Sequence, residues 1–434
     1  MLNKFQQMFE IKELRDKFIF TALILLIYRV GAHIPIPGIN AKELANYFAT
    51  QGNSMLDLYN MFSGGAFKKA TVFALGIMPY ISASIVMQLL GAVYAPIKKL
   101  QMEGAEGRKT ITQWTRYGTV GLSIIQAFGI SIFLRSIKDF DILMINPVFF
   151  TVVAVITLTT GTLIIMWLGE RITEKGIGNG ISILIFVGII ARFPTAIYQE
   201  VKKVAMGVTS PFVMLAVAVF LVGITMFVVM LTLGVRKIPI HSQKRVVGNK
   251  VTGGQNTYLP IKVNSVGVLP IIFASSFLIV PQTLGSFFPN VEAVQSMVSY
   301  FSPGSFVYML GFSLLIIFFT YLYTAIQFNP YDIAENLRKQ GAFIPGYRAG
   351  QWTAEYLDKV LSRLTLPGSM ALAAVAIVPQ IVAYGLNLSF FMGGTTLLIA
   401  VGVSLDTAQQ VEGFLLMKHY DGIMSSGKIR GRRG

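Results

Sequence analysis

Long apolar runs separated by short polar stretches dominate this chain. Ten of them read as membrane spans, for which a helix needs about 20 residues, the fifth being the shortest. They lie at about 18–35, 71–94, 114–136, 148–169, 180–195, 211–233, 263–284, 305–327, 367–385 and 393–416. Runs this long have no stable form in lipid other than a helix, because each backbone N–H and C=O must find its partner within the segment. The pattern predicts an all-α, polytopic membrane protein of ten transmembrane helices. One run departs from a plain lipid-facing helix. Residues 71–90, TVFALGIMPYISASIVMQLL, carry Gly76 and Pro79 in mid-run and a polar stripe of Ser82, Ser84 and Gln88. Just before it stands a short amphipathic piece, Asp57–Phe67, which ends in Ser63-Gly64-Gly65. Broken helices at membrane depth are tolerated where they line a cavity, so this region predicts a pore or binding site. By itself the short piece reads equally as an external helix lying at the interface.

Charge orients the spans. With ten, both ends share one side, which holds 27 of the 36 Lys and Arg residues. The other side holds Lys42, Lys68, Lys69, Arg135, Lys138, Arg192, Lys202 and Lys203, and Arg29 lies within the first span. The bias puts both termini in the cytoplasm. Residues 1–17 are polar and charged, with no small-residue cleavage site after the first apolar run, so that run is expected to stay as a membrane helix. Two cytoplasmic loops exceed what topology needs. Loop 234–262 contains RVVGNKVTGG, two β-prone runs around Gly248-Asn249 that read as a hairpin. Loop 328–366 reads as helical pieces broken by Gly341, Pro345, Gly346 and Gly350. Basic, structured protrusions suit docking to a polyanion such as ribosomal RNA, or to an acidic protein surface.

Composition agrees with lipid as the solvent: 54% apolar and 13% charged residues, where soluble domains carry about 25% charged. The chain has no cysteine, which removes thiolate chemistry and cysteine-ligated metals. Its three histidines, His33, His241 and His419, fall on both sides of the membrane, and no catalytic set, metal site or cofactor site is expected. The KGIGNG stretch at 175–180 has a phosphate-loop look, but no strand precedes it; it reads as the turn into the fifth span. Five spans on each side of a polar stretch at 192–210 allow two halves, 1–195 and 196–434. An odd number per half makes any repeat inverted.

Several strings resemble the SecY family of protein translocase channel subunits. They are IPIPGI at 34–39, MFSGGAFKKATVFALGIMPYISASIVMQLL at 61–90, EGRKTITQWTRYGT at 106–119 and MWLGERITEKGIGNGISI at 166–183. LPIKVNSVGVLPIIFASS at 259–276, FNPYDIAENLRKQGAFIPGYRAG at 328–350 and GGTTLLIAVGVSLD at 393–406 complete the set. The resemblance covers nearly the whole chain. It implies a passive, gated polypeptide channel of the bacterial plasma membrane, not an enzyme. Its aliphatic pore ring falls on Ile77, Ile81, Ile181, Ile185, Ile272 and Ile399. Its plug falls on Asp57, Leu58, Tyr59, Asn60, Met61, Phe62, Ser63, Gly64, Gly65, Ala66 and Phe67. The polar cluster of its lateral gate falls on Ser82, Gln126 and Asn264. Arg348, with Lys244, Arg245 and Lys250, falls where the family docks the SecA ATPase and the ribosome. SecE and SecG subunits, signal peptides, translocating polypeptides and membrane lipid are the further partners it implies. A solute transporter is the rival reading, but it needs ionisable residues at mid-depth. The charges inside spans are Arg29, Asp406 and Glu412, the last two near the cytoplasmic end of span ten.

Overall fold

The computed structural model describes residues 11–50, 60, 62–137, 142–242, 245–247, 250–252, 256–288, 291–302, 304–386 and 394–426. Each of the ten apolar runs contains a helix. They are α1 (Lys12–Gly31), α3 (Met78–Val93), α5 (Ala105–Ser136), α6 (Pro147–Lys175) and α7 (Gly180–Ile190), which continues as α8 (Phe193–Ala205). The second five are α9 (Pro211–Leu233), α10 (Leu269–Phe287), α12 (Phe306–Gln327), α14 (Gln351–Gly385) and α15 (Gly394–Ser426). Shorter helices lie between them: α2 (Ala41–Thr50), α4 (Ala95–Met102), α11 (Glu292–Tyr300) and α13 (Pro330–Lys339). Among the described residues, six helices are long and apolar enough to cross a membrane, and α3 with α4 makes a seventh if that pair, bent by 99°, is one span.

Local signals set these boundaries. Pro79 stands in the first turn of α3, where its missing N–H costs nothing. Asn146, Asn179, Ser210, Ser305 and Asn329 each accept a backbone N–H at a helix start. The structure corrects two of the expected limits. Residues 71–77 are not helical but a chain of turns, so the second span is a helix only from Met78. The fifth span does not end at 195, and 192–210 is not an open linker. Gly180–Ala205 runs as one 26-residue membrane-length helix, and the connection to α9 shrinks to 206–210. The three longest helices exceed the expected spans, α5 and α14 at their N-terminal ends and α15 at its C-terminal end. At about 1.5 Å per residue, the 35 residues of α14 measure about 52 Å, well over the hydrocarbon thickness of about 30 Å.

Helix packing repeats between the halves. In the first five spans, α1 packs on α6 and α7, α3 on α5, α5 on α6, and α6 on α7. In the second five, α9 packs on α14 and α15, α10 on α12, α12 on α14, and α14 on α15. The same partners recur in the same order. Contact between the two sets runs along two seams, α10 against α3 and α5 on one side and α15 against α7 on the other. Helix α9 is nearly unburied by its own chain, with 6% of its apolar window covered.

The two long loops expected on the cytoplasmic side form one unit. Strand β1 (Val235–Ser242) pairs antiparallel with β4 (Asn256–Lys262), and the expected hairpin forms from β2 (Arg245–Val247) and β3 (Lys250–Thr252). The second loop adds β5 (Ala342–Phe343) to the free edge of β1, giving the order β4-β1-β5. Ile238, Ile261, Ile344, Leu357, Val360 and Leu361 form a small core beneath this sheet, separate from the membrane core.

Glycine is what allows the closest backbone approaches. A Cβ on Gly161 of α6 would lie 2.0 Å from the Val72 carbonyl oxygen. Gly121 of α5 has nothing within 4 Å. Gly161→Ala should therefore destabilise the folded chain by about 1–3 kcal/mol through overpacking, whereas Gly121→Ala should be neutral or slightly stabilising. Thermal unfolding of the two detergent-solubilised variants beside the parent measures the difference.

Candidate functional site

The irregular stretch 60–77 lies in the middle of the helical bundle, and its backbone has to be satisfied without water. It is satisfied locally and by one extended neighbour. Gly65 N–H donates to the Asn60 carbonyl at 2.9 Å, and Phe67 N–H to the Ser63 hydroxyl at 3.1 Å. Thr71 N–H donates to the Ala66 carbonyl at 3.1 Å. Farther along, Val72 N–H donates to the Ile34 carbonyl and Ile36 N–H to the Ala70 carbonyl, both at 2.9 Å. The IPIP stretch at 34–37 thus works as a one-strand template for 70–72.

Of the eleven residues expected as the plug, Asn60 and Phe62–Phe67 are described; Asp57, Leu58, Tyr59 and Met61 lie outside the described residues. Asn60, Phe62, Ser63, Ala66 and Phe67 are buried. Gly64 adopts φ +64°, and a Cβ there would lie 2.7 Å from the Gly188 Cα of α7. Gly76, at φ +59°, would bring its Cβ to 3.3 Å from the Ser63 Cα. The segment is seated between α7 and the start of α3, and two left-handed glycines make that seat possible.

The six isoleucines expected as a pore ring come from four helices. Ile77 caps α3 and Ile81 lies in its first turn. Ile181 and Ile185 lie on α7, Ile272 on α10 and Ile399 on α15. Ile77, Ile81, Ile185, Ile272 and Ile399 are buried in one continuous hydrophobic cluster, and Ile181 packs half-buried against it. Phe62, Ala66 and Phe67 belong to that same cluster. The structure therefore brings the isoleucines expected as a ring and the described residues of the expected plug into one apolar core.

A cavity of about 420 Å³ opens beside this core, lined by Asn179, Ser182, Asp406, Thr407, Gln409 and Gln410 among others. Sequence reasoning passed over these residues as a group. The signal was present: Ile399, Val403, Asp406 and Gln410 are spaced i, i+4, i+7, i+11 and share one face of α15. That face turns from aliphatic to polar as it leaves the membrane. Lys262, at the end of β4, donates to Gln409 Oε1 at 3.0 Å. The cavity wall is thus polar and wettable, the opposite of the ring beside it.

Ser82, Gln126 and Asn264, expected as a polar cluster, come from α3, α5 and the turn before α10, which pack on one another. Among the described residues no hydrogen bond joins the three. Asn264 Oδ1 accepts the Gly267 N–H at 3.1 Å, closing its own turn. Gln126 Oε1 is buried without a partner, which costs about 1–3 kcal/mol. The seam is therefore held by apolar packing, including the Phe128 and Phe287 rings with centroids 6.3 Å apart. Its polar groups do not tie it shut.

Arg348 is exposed in the tight turn between β5 and α14, and its carbonyl accepts from the Thr353 hydroxyl at 2.9 Å. Tyr347 stacks on Tyr356 at 4.1 Å beside it, and Trp352 is exposed. Arg245 and Lys250 begin the two strands of the hairpin, while Lys244 lies outside the described residues. Among the described residues, no group of three or more His, Asp or Glu side chains could hold a metal ion.

A family model described as SecY matches residues 71–408. The protein translocase subunit SecY of Pseudomonas aeruginosa is 46% identical over 420 residues, covering 96% of this chain and 94% of that protein. Its counterpart in Escherichia coli K12 is 43% identical over 423 residues, covering 96% of each. Among solved structures, a protein conducting channel superposes with a TM-score of 0.67 at 18% identity, covering 92% of this chain and 91% of that one.

The seat of 62–67 can be probed chemically, because the chain has no native cysteine. A Phe62→Cys variant should react slowly with a membrane-impermeant maleimide, since Phe62 is 1% exposed. Adding Gly64→Ala, which forces Cβ against Gly188, should raise the labelling rate several-fold. Equal rates in the two backgrounds would count against the tight seat.

Proposed function

The chain belongs to the SecY family of protein translocase subunits, and we propose that it forms a passive, gated pore for unfolded polypeptide. The observation that carries the reading is the convergence of isoleucines from four helices with segment 62–67 in one apolar core, directly beside a polar cavity. A narrow aliphatic constriction dewets and so blocks ions and water. Ile77, Ile81, Ile181, Ile185, Ile272 and Ile399 offer a passing chain no hydrogen bonds, so they close around any side chain without retaining it. Segment 57–67 is the plug, which closes the resting pore. Residues 1–195 and 196–434 act as two halves of opposite orientation, in keeping with the repeated packing order.

The seam of α10 against α3 and α5 is the lateral gate, with Ser82, Gln126 and Asn264 at its polar positions. Its apolar closure and the unpartnered Gln126 oxygen make it a contact that an intercalating hydrophobic segment replaces at small cost. A signal sequence enters there, the plug leaves its seat, and the chain threads the ring or passes sideways into lipid. Nothing in the chain couples this to a chemical energy source. Force comes from the SecA ATPase or a translating ribosome, docked on the cytoplasmic unit through Arg348, with Lys244, Arg245 and Lys250. SecE and SecG complete the membrane complex and cover lipid-exposed surface such as α9. Both termini lie in the cytoplasm, as the distribution of Lys and Arg requires. Subunits of this kind move polypeptide without catalysing a reaction.

Single Ile81→Cys and Ile185→Cys variants in the cysteine-free chain test the pathway. A translocating polypeptide stalled in the complex should crosslink at both positions and not at Val219→Cys, which faces outward on α9. If a complex shown to be translocating crosslinks at neither isoleucine position, the pathway lies elsewhere.

A further inference from the structure

Helix α10 starts without a cap of its own. Val268, just before it, makes no capping hydrogen bond through its side chain, and the first turn holds no acidic residue. Asn264 directs its side-chain oxygen to the Gly267 N–H at 3.1 Å, inside the preceding turn. The turn and helix start at 263–271, VNSVGVLPI, contain no carboxylate. The positive end of the α10 dipole therefore finds no counter-charge in its own segment.

A carboxylate reaches it from another helix. Asp406 Oδ2 of α15 lies 3.9 Å from the position a Cβ on Gly267 would take, which sets it against the residue two before α10 begins. Gly267 stands at φ +68°. Lys262, at the end of β4, donates to Gln409 Oε1 three residues further along α15, and its charge acts on the same carboxylate. Close packing fixes the surroundings. A Cβ on Gly402 of α15 would lie 2.2 Å from Val268 Cγ1, and one on Gly368 of α14 would lie 2.8 Å from the Val263 carbonyl oxygen. The foot of α10 thus rests in a cradle of one glycine from each of two helices, with Asp406 beside it.

We infer that Asp406 is a positioning residue for α10, a cap supplied across the helix pair that sets how α10 lies against α3 and α5 at rest. Phe287 stands at the far end of the 19-residue helix, about 28 Å from the foot at about 1.5 Å per residue. A small tilt at the foot becomes a larger displacement there. An exposed carboxylate at a helix N-terminus shifts an equilibrium only about two- to fivefold. That strength suits a contact that holds in the closed state and yields in use. The consequence for transport rests on the reading of this seam as the lateral gate; the resting position of α10 does not.

Two measurements separate the inference from that reading. In the reconstituted translocase without preprotein, a short bis-maleimide bridging Phe128→Cys with Phe287→Cys reports the position of α10, since the parent rings have centroids 6.3 Å apart. Asp406→Asn should slow bridging about two- to fivefold, and Asp406→Glu should restore the parent rate. Raising salt from about 0.05 M to about 0.5 M, which shortens the screening length, should slow bridging in the parent and leave Asp406→Asn unchanged. A merely structural role for Asp406 would not produce that difference. An Asp406→Asn rate equal to the parent's, or the same salt response in both, overturns the inference. In the second measurement, Asp406→Asn should raise several-fold the translocation of a preprotein whose signal sequence carries a charge in its apolar core. Slower bridging with no such rise leaves Asp406 as the positioning residue of α10 and overturns the gate reading instead.

Discussion

The structure depends on keeping a stretch of non-helical backbone dry and fully bonded in the middle of a membrane bundle. An unpaired peptide group in hydrocarbon costs several kcal/mol, so residues 60–77 exist in this form only because each turn finds a partner. The extended IPIP segment provides two of those partners. Glycines at 64 and 161 let neighbouring backbones approach to distances that no Cβ would permit. This region therefore couples α1, α3, α6 and α7 into one body.

Chemical contrast along the transport axis follows from where polar residues are withheld. At the level of the ring, every contributing position is isoleucine and the surrounding cluster is aliphatic and aromatic. Seven residues further along α15, the same face presents Asp406 and then Gln410 to the cavity. The change from dry to wet takes place over about 10 Å of helix, at about 1.5 Å per residue. Such an abrupt boundary sets a wettable surface directly against an apolar cluster.

Much of this was legible in the sequence, and the reasons differ by level. The helices follow from hydrophobic runs that only one backbone geometry satisfies in lipid, and the RVVGNKVT hairpin from its turn chemistry. The break before α3 could be read from Gly76 and Pro79. Three things could not. The continuation of α7 through Arg192 was hidden because FPTAIYQEVKK is amphipathic, and a polar half-turn does not by itself end a helix. The merger of the two cytoplasmic loops depends on a two-residue strand, Ala342–Phe343, too short to leave a periodic signal. The turn that Asn264 closes by accepting the Gly267 N–H is likewise set by backbone geometry that residue spacing does not display. Local bonds form before distant ones whenever the geometry allows both.

The merged cytoplasmic unit has a mechanical meaning. Strand β5, the turn bearing Arg348 and the first turns of α14 share one small core with β1 and β4, and α14 runs without a break from there into the bilayer. The tip is therefore the end of a lever whose other arm is a membrane helix. A push on either loop is carried into the membrane along α14 and, through the Lys262–Gln409 hydrogen bond, onto α15. A machine pressing on this surface need not reach into the membrane at all to change what happens at its centre.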